Sequence, residues 1–407
     1  MRKFGLAVGV LVLCLLLPIS GWAINDWTVI MYMSGDDAHT DIEVAQLQNM
    51  LAVTKLNLPK GIEVIAQIDR GPKVPALEKT LFTDCVDRGA FRYNLLKNSI
   101  YMEKRLGEVN LGSPYVLWDC LNWAVKDHPA RHYFLIMNSH GSGAFSWSGQ
   151  GNVGAPHPGQ VVFNPGRFVG YDDTNEDCLT VFEISAVLKA FRDKLNGGRK
   201  CDLVGFDACL AGGIEVLYQF RDVFDFMVGC PDETAIEGLN YKAIIGTLAK
   251  DPKIKPEKLA ALSADSNKIP SATPFGAWKT ATAQDVVFSL SNLSMELLNA
   301  MKQTGNKLQL KGFADYGGDK RYWDLKKFLD GFAHGSVQIP GAENNQLINK
   351  VAKEASDALS QCRVSSRGSL SISMPSKKEY LEFKAFYKAL DFSKTAKWDE
   401  VLDLQEQ

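Results

Sequence analysis

The sequence predicts an α/β sandwich, with a mostly parallel central sheet flanked by helices and a mainly helical C-terminal region. Two observations carry this. The first is a set of short apolar runs, 28–33 (TVIMYM), 133–137 (YFLIM) and 203–206 (LVGF), with weaker companions at 63–68 and 226–228. These runs are continuous, not alternating, as expected of strands buried on both faces. The second is the helical periodicity between them: 41–56, then 115–125 behind a Ser113-Pro114 start, then 181–195, then 214–220. Strand and helix in alternation give parallel strands with helices on both faces.

From about residue 239 helical patterns dominate, at 241–249, 256–266, 287–302, 322–332 and 344–361, interrupted by strand-like pieces at 277–282 and 369–374. The chain accordingly divides into a leader, 1–23, an α/β region, 24–238, and a C-terminal region, 239–407, that completes or packs on it. The leader has the order of a signal peptide: Arg2 and Lys3, an apolar run of about 12 residues over 6–17, and Gly21-Trp22-Ala23 at the cleavage position. The run is short of the roughly 20 residues that span a bilayer. The expectation is an exported protein, periplasmic or extracellular, that begins at Ile24 and keeps no stable membrane insertion.

A composition of 46% hydrophobic and 23% charged residues is that of a globular protein. The formal net charge is −2, or −4 without the two leading cations, and no basic run or basic-aromatic stripe points to nucleic acid. Seven cysteines follow the leader: Cys85, Cys120, Cys178, Cys201, Cys209, Cys230 and Cys362. An odd number in an oxidising compartment leaves at least one thiol free. Buried unpaired thiols and up to three disulfides both remain open.

In parallel sheets the functional residues collect beyond the carboxyl ends of the strands. There the chain places Asn138-Ser139-His140-Gly141-Ser142-Gly143 after one run and Asp207-Ala208-Cys209-Leu210-Ala211-Gly212-Gly213 after another. A thiol attacks as its thiolate, and free cysteine has a pKa near 8.5, so a nucleophilic cysteine needs a base beside it. His140 is the candidate base and Cys209 the candidate nucleophile. The amides of Gly141 and Cys209 would form an oxyanion hole worth roughly 3 to 4 kcal/mol, and the N-terminus of the next helix is expected to favour the thiolate. The segment 144–168, rich in Gly, Pro, Ser and Asn, reads as a long loop beside this site. His128 and His132 have zinc-like spacing, but Pro129 between them should end the helix.

With these motifs in hand, the chain resembles the clostripain family of cysteine peptidases, grouped with caspases, gingipains and legumains. The resemblance runs through DWTVIMYMSGDD, FLIMNSHGSGAF, VGYDDTNEDCLTVFEI and LVGFDACLAGGIEV, and more weakly through TATAQDVVFSLSNL and GSLSISMP. It implies a caspase-like sandwich and a secreted cysteine endopeptidase that cuts proteins or peptides after Arg or Lys. By the same likeness His140 is general base or acid and Cys209 the nucleophile, with the Gly141 and Cys209 amides as oxyanion hole. Asp207 matches an acid that the family associates with the pocket for a basic side chain; a buried loop cap is its structural alternative. The segment Gly229 to Leu239, with Asp232 and Glu233, departs from the family's usual Ser-Glu-Glu and Pro-Gly-x-Gly-Trp and is expected to form a pocket wall.

The resemblance implies no required cofactor and allows calcium, on which some members depend; Asp172, Asp173, Glu176 and Asp177 are the oxygen donors in view. Self-cleavage between histidine and cysteine would fall after Arg167, the single basic residue of the 144–168 loop. Two other functions compete. A serine esterase needs Gly-x-Ser-x-Gly at a strand-to-helix turn, which the chain lacks. A catalytically silent binding or scaffold protein on the same fold is the remaining alternative.

Overall fold

The strand Asn25–Gly35 (β1) lies inside an eight-stranded sheet and shows why its apolar run is continuous. Trp27, Val29, Met31 and Met33 point into one core, whereas Ile30 and Tyr32 point into the other, and all are 0–1% exposed. Successive side chains alternate across a strand, so a strand covered on both faces is apolar along most of its length, and the buried Thr28 of β1 is satisfied by donating to the His128 carbonyl at 2.8 Å. The computed structural model describes residues 24–36, 41–71, 88–144, 168–267, 273–311, 315–316 and 321–406. The leader 1–23 and Arg167 lie outside the described residues.

β1 pairs in parallel with β2 (Ile62–Arg70) on one side and with β5 (Ala130–Asn138) on the other. β8 (Cys201–Asp207) follows β5, and β9 (Phe224–Gly229) follows β8, again in parallel. An antiparallel hairpin, β3 (Gly89–Leu96) and β4 (Ser99–Gly107), closes one edge; β10 (Gly276–Lys279) closes the other, antiparallel to β9. The order is β10-β9-β8-β5-β1-β2-β3-β4, a sheet parallel at its centre and antiparallel at both margins, as the expected fold class requires. A two-stranded ribbon of β6 (Val169–Asp172) and β7 (Asp177–Leu179) sits beside it.

One face is covered by α1 (Asp41–Thr54), through Leu47, Met50 and Val53, and the other by α2 (Pro114–Asp127), α3 (Val181–Ala190) and α4 (Ile214–Gln219). α3 starts on a capping box: the Glu183 amide donates to Thr180 Oγ1 at 3.2 Å, and the Thr180 amide donates to Glu183 Oε2 at 2.9 Å. Its α geometry ends at Ala190 and continues as a π-helical turn, Phe191–Leu195.

The residues after 238 supply more than a helical appendage. β10 joins the central sheet, while α5 (Tyr241–Lys250) and α6 (Pro256–Asp265) share the core of α1. α7 (Ala283–Thr304), α8 (Leu325–His334) and α9 (Gln346–Cys362) pack on the opposite face. The expected helix at 322–332 divides in two: Tyr322–Asp324 is a strand, and Asp324 then caps α8 by accepting from the Lys327 amide at 2.9 Å.

Phe206, at the end of β8, is fully buried, with its ring centroid 5.0 Å from that of Phe168 and 5.5 Å from that of Phe220. Phe206→Ala is expected to cost about 3–5 kcal/mol of unfolding free energy. Urea denaturation measures it, and a loss under about 1 kcal/mol would mean that this cluster does not hold the strand end as described.

Candidate active site

His140 and Cys209 are brought together by strand register. Asn138, the last residue of β5, lies level with Asp207, the last residue of β8. Each strand is followed by one further residue, Ser139 or Ala208, and then by the residue of interest. Both side chains line one cavity of about 180 Å³, together with Ile42, Asn138, Asp207, Thr234, Ile236 and Gly238. A larger cavity, about 620 Å³, opens at the opposite end of the strands beside Asn25, Ile62 and Glu63, and holds no thiol.

Gly141 makes the approach of the two loops feasible. A Cβ there would sit 2.3 Å from the Cys209 carbonyl oxygen and 3.0 Å from its amide nitrogen. No larger residue fits without moving that backbone. Beyond the thiol, Leu210 turns with φ +59°, and its amide donates to the Asp232 carbonyl at 2.9 Å. The amide of Gly212 likewise donates to the Cys230 carbonyl at 2.7 Å. These bonds tie the cysteine loop to the 230–234 segment.

The thiol's surroundings differ from the sequence expectation in one respect. α4 begins at Ile214, beyond the turn Leu210 to Gly213, and has six residues, so it does not present its N-terminus at Cys209 as a nucleophile elbow would. The Thr234 amide donates to Cys209 Sγ at 3.3 Å instead, with Thr234 Oγ1 at 3.6 Å. Burial pushes the Cys209 thiol up, the Thr234 contacts pull it down, and the Glu233 and Asp207 carboxylates raise it further. His140 is exposed, and its ring meets Tyr171 edge-on at 6.1 Å between centroids.

Asp207 forms the floor of the cavity and is 3% exposed. Its Oδ2 accepts from Asn138 Nδ2 at 2.6 Å and from the Tyr241 hydroxyl at 2.7 Å; its Oδ1 accepts from the Leu239 amide at 2.9 Å. Asn138 is itself oriented by Gln46, whose Nε2 donates to Asn138 Oδ1 at 2.7 Å. Burial holds the Asp207 carboxyl up at about 6, against the lowering effect of Tyr241, Asn138 and Leu239. Asp207 thus caps the 238–241 turn and also lines the cavity. Asp232 and Glu233 are not among the lining residues. Asp232 braces the loop by accepting from Thr273 Oγ1 at 2.7 Å, and Glu233 is exposed. The segment Gly229 to Leu239 does contribute a wall, as expected, but through Thr234, Ala235, Ile236 and Gly238 and not through its two acids.

The remaining motifs are structural. His128 is held by Glu63 at 2.7 Å and Glu103 at 3.1 Å, and His132 by Asp202 at 2.6 Å. Among the described residues six cysteines are free, five of them buried and Cys209 partly exposed. No helix among the described residues is long and apolar enough to cross a membrane. Of the four acids at 172–177, Asp172 is turned inward, 1% exposed, while Asp173, Glu176 and Asp177 face outward.

An imidazole and a thiol at neighbouring strand ends of a caspase-like sandwich are the hallmark of a class, the His-then-Cys thiol peptidases. A sequence model of the clostripain family, Peptidase_C11, matches residues 31–404, and the chain belongs to that family. Clostripain of Hathewaya histolytica is 30% identical over 215 residues, 48% of this chain and 36% of that protein, so the match spans little more than a third of that relative's length. The chain is also similar in fold to a secreted C11 cysteine protease of Bacteroides thetaiotaomicron, iotapain, with TM-score 0.63, 14% identity and coverage of 92% of this chain and 99% of that one. An inactive zymogen C11 protease of Parabacteroides distasonis gives TM-score 0.60, 15% identity and coverages of 92% and 98%.

Proposed function

We propose that the chain is a cysteine endopeptidase in which Cys209 attacks the scissile carbonyl and His140 moves the proton. His140 would take the thiol proton as the C–S bond forms and return it to the departing amine; water would then release the acyl group from sulfur. The amides of Gly141 and Cys209 are the proposed donors to the oxyanion. The observation that carries this reading is the cavity shared by His140 and Cys209, with Gly141 packed on the cysteine backbone.

The same reading gives the enzyme a preference for Arg or Lys before the cut bond, supported by the Asp207 carboxyl on the cavity floor. Ile42 and Ile236 flank that floor and suit the aliphatic stem of a long basic side chain. A peptide-library cleavage profile tests both levels. Cuts after Arg and Lys are expected; cuts confined to other residues would remove the specificity claim, and no cuts at all the enzymatic one.

Export and self-processing belong to the proposal as well. Residues 1–23 would be removed as a signal peptide, and Arg167 would be the site of a self-cleavage that leaves Phe168 at a new N-terminus. Intact-mass analysis of active protein from the culture is expected to give one chain starting at Ile24 and another at Phe168. Active enzyme consisting of one uncut chain would rule out processing at Arg167.

A further inference from the structure

The loop that carries His140 is gripped from two sides. On one side stands the β6–β7 ribbon. Gly141 forms a bridge with Val169, the Ser142 amide donates to the Phe168 carbonyl at 3.2 Å, and the Gly170 amide donates to Ser139 Oγ at 2.6 Å. The Tyr171 hydroxyl donates to Ser142 Oγ at 3.0 Å. On the other side stands Tyr322, 180 residues further along the chain, whose hydroxyl donates to the Ser142 carbonyl at 3.0 Å. Tyr322 is 1% exposed, and Gly143 is fitted to it: at φ +79°, a Cβ there would lie 2.2 Å from the Tyr322 hydroxyl oxygen and 2.5 Å from its Cζ.

The strand that holds Tyr322 is anchored to the cysteine loop as well. Tyr322–Asp324 runs antiparallel to a second short strand, Ser371–Ser373, with Tyr322 opposite Ser373 and Asp324 opposite Ser371. The Ser371 amide donates to the Gly212 carbonyl at 2.9 Å, and Gly213 forms a bridge with Ser371. The Ser373 amide donates to Oε1 of Glu215, fully buried in the first turn of α4, at 2.8 Å, and the Tyr387 hydroxyl donates to the same oxygen at 3.0 Å. Trp398 Nε1 holds the Ser373 carbonyl at 2.9 Å. One pair of strands from the C-terminal region therefore touches the histidine loop through Tyr322 and the cysteine loop through Ser371. The separation of the two loops is set by the β5–β8 register within the sheet and again by this strand pair outside it.

We propose that Tyr322 is a positioning residue for peptide-bond hydrolysis, fixing the backbone of the histidine loop so that the His140 imidazole keeps its place opposite Cys209. The inference rests on the reading of His140 as base and Cys209 as nucleophile. The Tyr322 hydroxyl is engaged with the Ser142 carbonyl and acts through it, two residues from the imidazole.

Removing that hydroxyl leaves the Ser142 carbonyl against an apolar ring. A polar group shut away from water is costly to leave unpaired, so the carbonyl turns toward another donor and takes the loop with it. A displacement of about 1 Å in a group that must transfer a proton costs about 10²-fold in rate. The ring itself stays in place in Tyr322→Phe, which keeps the packing on Gly143 and the pairing with Ser373.

The test compares full-length wild type, Tyr322→Phe and Cys209→Ala on an Arg-containing fluorogenic peptide, with active sites counted by an irreversible thiol-directed peptidyl inhibitor. Tyr322→Phe is expected to lower kcat per titrated site about 10- to 100-fold while KM stays within about threefold of wild type. Alkylation of Cys209 by iodoacetamide near pH 6.5, followed by mass spectrometry, should slow about tenfold, because a thiol reacts readily there only as a thiolate held by a neighbouring imidazolium. Gly143→Ala, whose methyl takes the place of the hydroxyl, should show the same loss in kcat. A kcat per titrated site within about threefold of wild type in Tyr322→Phe, whatever its Tm, would make Tyr322 a packing residue and overturn the proposal. So would a change confined to KM, or an unaltered alkylation rate. Those outcomes leave Cys209→Ala inert; hydrolysis by Cys209→Ala would instead overturn the reading of the thiol on which the proposal rests.

Discussion

Cys209→Ala is expected to lower kcat/KM on Arg- and Lys-containing peptides by about 10⁴-fold or more, with Tm changed by no more than about 2 °C. The two readouts separate chemistry from folding. Cys209 is only partly buried, and the turn around it is fixed by backbone bonds that alanine keeps, from the Leu210 amide to Asp232 and from the Gly212 amide to Cys230. What alanine removes is the one thiol among the described residues that line the cavity. His140→Ala should lose a comparable factor, and the double variant little more than either, because groups that act as a unit are not additive. Hydrolysis retained within tenfold of wild type by Cys209→Ala would end the thiol-peptidase reading and return the chain to the class of binding modules.

Asp207→Asn is expected to cost about 10²- to 10³-fold in kcat/KM for basic substrates, in keeping with the removal of one partner from a buried charge pair. The pH dependence gives it a signature. Asp207 is held near 6, so its carboxyl is neutral below that pH and charged above it. Recognition of a guanidinium or ammonium should therefore rise with pH through about 6, and that acid limb should vanish in Asp207→Asn. The effect on stability has the opposite sign. An acid whose folded pKa is raised binds its proton more tightly in the folded state. Its contribution is then most favourable below about 4 and is lost as pH rises toward 6. Gly238→Ala offers a check without a change of charge: its Cβ would meet Asp207 Oδ1 at 2.2 Å, at a backbone φ of +61° that suits glycine. Selectivity for Arg and Lys unchanged in both variants would exclude Asp207 as the recognition group.

The parallel centre of the sheet was legible because burial on both faces leaves little room for polar residues in mid-strand, as the runs 29–33, 133–137 and 203–206 of β1, β5 and β8 show. The β3–β4 hairpin was not. β3 carries Arg92 at 3% exposure, satisfied by Gln67 at 2.8 Å, by Asp119 and by the face of Trp123; β4 is largely exposed. Neither forms a continuous apolar run. The three helices Lys377–Ala389, Asp391–Ala396 and Trp398–Glu406 also escaped notice, since they alternate short apolar contacts with charged positions.

At the site, the positions of His140 and Cys209 followed from strand ends alone. Gln46 and Tyr241, which orient Asp207 and its partner Asn138, come from helices far away in sequence and carry no local signal. Sequence proximity grouped Asp172 with Asp173, Glu176 and Asp177, but of these four only Asp172 is turned inward. Thr234 is nearer the cysteine in space than any motif suggested, because β9 returns the chain to the same sheet edge.

The equal offset of His140 and Cys209 from Asn138 and Asp207 limits how this molecule can vary. Ser139 and Ala208 are both buried, at 7% and 1% exposure, and an inserted or deleted residue at either place shifts one partner by about 3.3 Å along its strand direction while the other stays put. Hydrogen bonding between β5 and β8 fixes the zero of that scale. Length, and not only residue identity, is therefore under constraint in these two short connections, and insertions compatible with activity should gather in the segments that the sheet does not measure.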